Sequence, residues 1–134
     1  MTLVDTNILL DLVTDDQDWA AWSIEQLESA ALRGPLLIND VVYAELSVRY
    51  DRIEDLDAFV TAAGLQFAAI PRAALFLAAK VFTLYRRSGG SRTGVLPDFF
   101  IGAQASVSEW ALLTRDVARY RTYFPKVKLL APVV

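Results

Sequence analysis

The chain has 134 residues, 54% of them hydrophobic and 22% charged, an apolar load that excludes disorder and a length that predicts one domain over residues 1–134 with a core of its own. It contains no cysteine and no histidine, which excludes disulfides, thiol nucleophiles, thiolate metal sites and any Ser/His/Asp triad. The net charge of −3 speaks against attraction of nucleic acid by bulk charge alone.

Apolar runs rich in Val, Ile and Leu alternate with helical patterns along the chain. Leu3-Val4 opens as a strand, a helix follows from Asn7, and a second runs from Asp16 or Gln17 to no further than Gly34. Leu36-Leu37-Ile38 is a buried strand, stopped by the N-cap pair Asn39-Asp40 before a helix over Val41 to Tyr50. Ile53, Leu56, Val60 and Ala63 recur at helical spacing, with Gly64 closing that helix. Leu65 to Ile70 is a strand, and Pro71 to Arg87 a long helix with Ala74, Ala78, Val81 and Tyr85 on one stripe. Ser88 to Gly94 is a flexible loop, Pro97 to Ser108 a helix, Ala111 to Thr114 a strand, Val117 to Tyr123 a helix and Val127 to Leu130 the last strand.

This alternation predicts an α/β fold with a mostly parallel sheet covered on both faces. The start, Met1 to Asp5, lacks the basic segment of a signal peptide. The longest uncharged stretch, Ala58 to Pro71, is broken by Gly64, Gln66 and Pro71 and falls short of the ~18 apolar residues of a membrane helix. No membrane association is expected, and the absence of cysteine fits the cytoplasm.

In such a sheet, sites form at the carboxyl ends of the strands. Asp5 directly follows the first strand, Asp116 follows Ala111 to Thr114, Asp98 lies in the first turn of its helix, and Glu45 lies one turn into the helix after Leu36-Ile38. Each acid has a plainer role open to it: Asp5 as cap of the Thr6-Asn7 turn, Asp98 as a first-turn acid, Asp116 as N-cap of the Val117 helix. Glu45 has Val41, Val42, Val48 and Arg49 as helical neighbours, so its carboxylate is expected on a mostly buried face, partnered by Arg49 or by a metal ion. Acids gathered at one edge repel unless a cation sits among them. Without His or Cys, hard oxygen ligands select Mg²⁺ or Mn²⁺. Such an ion polarises phosphoryl oxygens and activates water, which is the nucleophile a histidine-free chain otherwise lacks.

Val4-Asp5-Thr6-Asn7, Tyr43-Ala44-Glu45-Leu46, Pro97-Asp98-Phe99-Phe100-Ile101-Gly102-Ala103-Gln104-Ala105 and Leu113-Thr114-Arg115-Asp116 resemble, in order and spacing, the motifs of PIN-domain ribonucleases. The length is most similar to the VapC toxins of toxin–antitoxin pairs. The resemblance implies an α/β/α sandwich and a metal-dependent endoribonuclease. It assigns Mg²⁺ or Mn²⁺, one or two ions, to Asp5, Glu45, Asp98 and Asp116, with Asp116 direct or through water. It implies supporting roles for Thr6, Asn7 and Thr114, a homodimer, and inhibition by a VapB-like antitoxin. In-line attack of metal-activated water on an RNA phosphodiester is the expected reaction.

Local cations must offset the acidic sum if RNA is the substrate. Arg86, Arg87 and Arg92 border the Gly/Ser loop, and Arg115, Arg119, Arg121, Lys126 and Lys128 accompany the last motif. Some of these are expected to hold the RNA backbone, Arg86, Arg87, Arg92 and Arg115 foremost, against a role as solvated surface cations. Trp19 and Trp22 are expected to pack in the core, with a partner groove as the second possibility. A small Mg²⁺-dependent phosphatase and a non-catalytic binding module of the same shape are the alternatives. The phosphatase is disfavoured by Asn7, which stands where a second Asp would be required. A phospho-acceptor receiver domain is disfavoured because Asp15-Asp16 lie far from the first strand.

Overall fold

A computed structural model describes residues 1–92 and 94–133; Thr93, within the predicted Ser88–Gly94 loop, and Val134 lie outside the described residues. Every predicted element forms, and the differences lie at the ends. The strands are β1 (Thr2–Val4), β2 (Leu36–Ile38), β3 (Leu65–Phe67), β4 (Ala111–Leu113) and β5 (Leu129–Leu130). The helices are α1 (Thr6–Val13), α2 (Ala20–Ala31), α3 (Asp40–Ser47), α4 (Ile53–Ala62), α5 (Arg72–Arg87), α6 (Leu96–Ser108) and α7 (Ala118–Tyr123). The strands form one all-parallel sheet in the order β3-β2-β1-β4-β5.

The central strands explain the architecture. Side chains alternate faces along a strand, yet every residue of β1 and β2 is buried, so both faces of the sheet are covered by helices. The result is a three-layer α/β/α sandwich. Leu3, Val4, Ile38, Leu112 and Leu113 form its centre with Ile8, Leu46, Phe99, Ile101 and Tyr120 from the helices. On α5 the Ala74, Ala78 and Val81 positions of the predicted stripe are buried, and Tyr85 at its end is half-buried. On α4 only Leu56 is buried, and Ile53 is 63% exposed because it begins the helix rather than facing the sheet.

Two glycines meet real geometric demands. Gly64 has φ +70 and ends α4, a backbone conformation that side chains bearing a Cβ disfavour. Gly102 lets α6 approach the end of α7; a Cβ there would stand 2.4 Å from the ring of Phe124. The second helix starts only at Ala20: Asp16 Oδ1 accepts from the backbone N–H groups of Asp18 and Trp19, holding a turn where a helix was predicted. Trp19 therefore stands before α2, half-buried and edge-on to Trp22 at 5.7 Å, rather than in the core. The third and fifth strands are shorter than predicted, at Leu65–Phe67 and Leu129–Leu130.

Candidate active site

Parallel strands send all their carboxyl ends to one edge, and the chain turns polar there. Asp5 follows β1, Asn39 follows β2 and Thr114 follows β4. Asp98 comes from the first turn of α6, Glu45 from α3, and Asp116 from the turn between β4 and α7. The structure brings these acids within electrostatic reach of one another. Burial raises the pKa of Asp98 most, Arg119 opposes the rise, and Asp116 and Glu45 add to it, as Asp98 in turn adds to the rise at Asp5.

Asp5 is the most enclosed, at 4% exposure. Its Oδ1 accepts from the Thr6 backbone N–H at 2.7 Å, so the capping role is met as well. Its Oδ2 accepts from the Thr114 hydroxyl at 2.7 Å, the Tyr120 hydroxyl at 3.0 Å and the Asn7 amide at 3.5 Å. Burial pushes its pKa from 3.8 to about 6; the Thr114, Tyr120 and Thr6 hydrogen bonds oppose that rise and Asp98 adds to it. No arginine or lysine forms an ion pair with Asp5 among the described residues. Tyr120, itself fully buried, is held well above its ordinary range, by burial first and then by the negative charge of Asp5.

Around Asp5 the supporting residues interlock. The Thr6 hydroxyl donates to Glu45 Oε1 at 2.7 Å, tying α1 to α3. Asn7 donates through Nδ2 to Thr114 Oγ1 at 3.3 Å and accepts from the Arg115 backbone N–H through Oδ1 at 3.2 Å. A carboxylate could not make both contacts, which accounts for an amide at this position. Thr114 also accepts from the Asp116 backbone N–H at 3.0 Å, which shapes the turn that carries Asp116.

Several expectations are corrected. Glu45 does not lie on a buried face paired with Arg49. It is half-buried, bonded to Thr6, and its neighbour Val48 is 84% exposed because α3 has ended at Ser47. Asp116 is not the N-cap of α7; Val117 holds that position without a side-chain cap. Arg115 does not reach out as a free cation. Its guanidinium makes a bidentate pair with Asp11, at 2.9 and 2.8 Å, and lies over the Trp19 ring at 4.9 Å. Arg86, Arg87 and Arg92 are exposed as expected of surface cations, Arg86 lying 6.0 Å from the centre of the Phe82 ring.

Other contributors escaped the sequence analysis. Asp11 is 2% exposed and also accepts from Ser23 at 2.7 Å. Its signal was its place one helical turn after Asn7. Tyr120, four residues beyond Asp116, carried the same kind of signal. Arg119 was read only as one of the cations available to the RNA backbone, yet its guanidinium bonds Asp98 and lies 3.4 Å from Asp116 Oδ2. An open depression beside this pair is lined by Ser91, Arg92, Gly94, Val95 and Arg119.

The residues suit a hard divalent ion by their chemistry: every donor is an oxygen, and Asp5 is a buried carboxylate without a cationic partner among the described residues. As the side chains stand, no three acids among the described residues surround one point closely enough to hold an ion. Arg119 supplies the positive charge to Asp98 and Asp116 instead.

Comparison with known proteins bears on the fold and the family. Structures of similar fold include a chain of the VapBC2 complex from Rickettsia felis, bound to a DNA fragment from their promoter, at 18% identity and TM-score 0.75 over 98% of each chain. VapBC-1 from nontypeable Haemophilus influenzae matches at 14% identity and TM-score 0.69, over 97% of this chain and 96% of that one. FitAcB from Neisseria gonorrhoeae matches at 16% identity and TM-score 0.67 over 96% of each chain. At these identities the likeness shows the fold. A search of curated protein sequences gives no significant match. The PIN domain family model matches residues 2–125, from the start of β1 to just past α7. That span includes every element that contributes a side chain to the acid cluster, and the chain belongs to the PIN domain family.

Proposed function

We propose that this chain is a metal-dependent endoribonuclease, the toxin of a VapBC-type toxin–antitoxin module, acting as a single domain over residues 1–134 in the cytoplasm. The observation that carries the reading is Asp5: a carboxylate buried without a cationic partner among the described residues, held by hydroxyl and amide donors and beside Asp98, which in turn feels Asp116 and Glu45. Capping α1 needs only Oδ1 of Asp5; a second carboxylate oxygen buried beside another acid is what a site for a divalent ion uses. Asp5, Asp98 and Glu45 would hold Mg²⁺ or Mn²⁺, with Asp116 direct or through water. When bound, the ion supplies positive charge to phosphoryl oxygens and acidifies water for attack on the phosphodiester.

The chain's own groups do the positioning. Thr114 and Tyr120 fix the Oδ2 of Asp5, and Thr6 fixes Glu45. Asn7 joins Asp5 to the β4 turn that carries Asp116. RNA enters from the open depression lined by Arg92, which we take as a backbone contact. Arg86 and Arg87 extend the basic rim; Arg115 serves by shaping its loop. No helix among the described residues is long and apolar enough to cross a membrane. A VapB-like antitoxin and a homodimer are the proposed assemblies. The partner is supported by structural neighbours solved as VapBC complexes.

Incubation with mixed RNA tests the reading, with Mg²⁺, Mn²⁺ or EDTA and beside an Asp5→Asn variant. Cleavage that needs the metal and is lost in the variant is expected. Phosphate release from small esters with RNA left intact would favour a phosphatase, and inactivity throughout would leave a binding module.

A further inference from the structure

Arg119 lies in the first turn of α7, next to Tyr120 and one turn after Asp116. Its guanidinium bonds Asp98 Oδ2 and lies 3.4 Å from Asp116 Oδ2, so one cation bridges acids from two elements. The side chains of Arg119, Asp98 and Asp116 are 21%, 25% and 39% exposed, so the contact is partly screened and can exchange with solvent or another cation. A divalent ion held as proposed above would draw on Asp98, and Arg119 occupies one of that residue's oxygens. Two positive groups cannot share these carboxylates without strong repulsion at short range. The same side chain also lines the open depression with Ser91, Arg92, Gly94 and Val95, so the guanidinium has somewhere to go.

We propose that Arg119 is an exchangeable counter-ion for Asp98 and Asp116, displaced by the divalent cation and released toward Arg92, where it binds a phosphate oxygen of the substrate. The displacement rests on the metal site proposed above, and the phosphate contact on the nuclease reading as well. The arrangement couples two events. The acids stay neutralised while the ion is away, and ion binding presents a second arginine to the incoming backbone. A planar guanidinium suits both tasks, since it pairs with carboxylate and phosphate in the same forked geometry.

Calorimetric titration of the full chain with Mn²⁺ tests the displacement, using wild type, Arg119→Gln and Arg119→Lys. Removing the competing cation tightens Mn²⁺ binding several-fold in Arg119→Gln, with Arg119→Lys between. In parallel, the Arg119 side-chain N–H resonance is protected from exchange in EDTA and loses that protection in saturating Mg²⁺. Unchanged or weaker metal binding in Arg119→Gln, or a guanidinium signal that Mg²⁺ does not move, overturns the proposal; Arg119→Lys supplies the same comparison if the Gln variant does not fold. At saturating Mn²⁺, RNA cleavage by Arg119→Gln shows a raised KM with a smaller change in kcat, partly restored by Lys. Normal KM removes the phosphate contact. Tighter Mn²⁺ binding with no cleavage by any protein leaves the counter-ion standing and defeats the nuclease reading instead.

Discussion

Asp5→Asn is expected to stabilise the metal-free protein at about pH 8 while abolishing its response to metal. The carboxyl of Asp5 is 4% exposed, and burial raises its pKa from 3.8 to about 6. The folded chain therefore holds this proton more tightly than the unfolded chain, and folding takes up a proton between those values. Stability from the group is present below pH 3.8 and is lost as pH rises to about 6. The loss is about 3 kcal/mol. Asparagine has no charge to bury, and its carbonyl can still accept from Thr114 and Tyr120. Its amide would face the Thr6 N–H, a mismatch of about 1 kcal/mol. The variant should then be about 1–2 kcal/mol more stable than wild type at about pH 8 and slightly less stable at about pH 4. Urea unfolding in EDTA at both pH values measures this as a shift of midpoint at constant slope. Comparing wild type with the variant cancels the carboxylates that do not interact with Asp5. A variant that loses the same stability at both pH values would refute the view that Asp5 is an uncompensated buried charge.

Two further substitutions probe the scaffold. Gly102→Ala places a methyl 2.4 Å from the ring of Phe124, which is 3% exposed and has no room to move. It should cost about 1–3 kcal/mol, read as a lowered thermal midpoint. Asp11→Ala leaves Arg115 and Ser23 without their acceptor. With Arg115 28% exposed and able to turn to water, the expected loss in urea unfolding is about 1–3 kcal/mol, and a neutral outcome would mean the pair is dispensable.

Much of the fold was legible because burial on both faces leaves strands that are continuously apolar. Leu36-Leu37-Ile38 and Ala111-Leu112-Leu113 announce themselves this way. The ends were less legible where short-range bonds compete with helix, as when Asp16 captures the backbone N–H groups of Asp18 and Trp19. Of the candidate site, the acids could be named because Asp5 and Asp116 follow apolar strands and Glu45 and Asp98 lie early in helices, in motifs whose order and spacing are similar to a known family's. Their partners could not. Glu45 bonds a hydroxyl 39 residues away, and Tyr120 reaches Asp5 across 115.

What the order of residues determined alone was the class of fold and the donor types open to a metal: the local period of apolar side chains sets the elements, and the lack of His and Cys leaves oxygen ligands. Tertiary structure decided which charges meet. Arg115 turned inward to Asp11 and Arg119 turned to Asp98, although both are arginines of the same short segment. Pairing of that kind depends on distances across the sheet edge, and spacing along the chain carries no record of them.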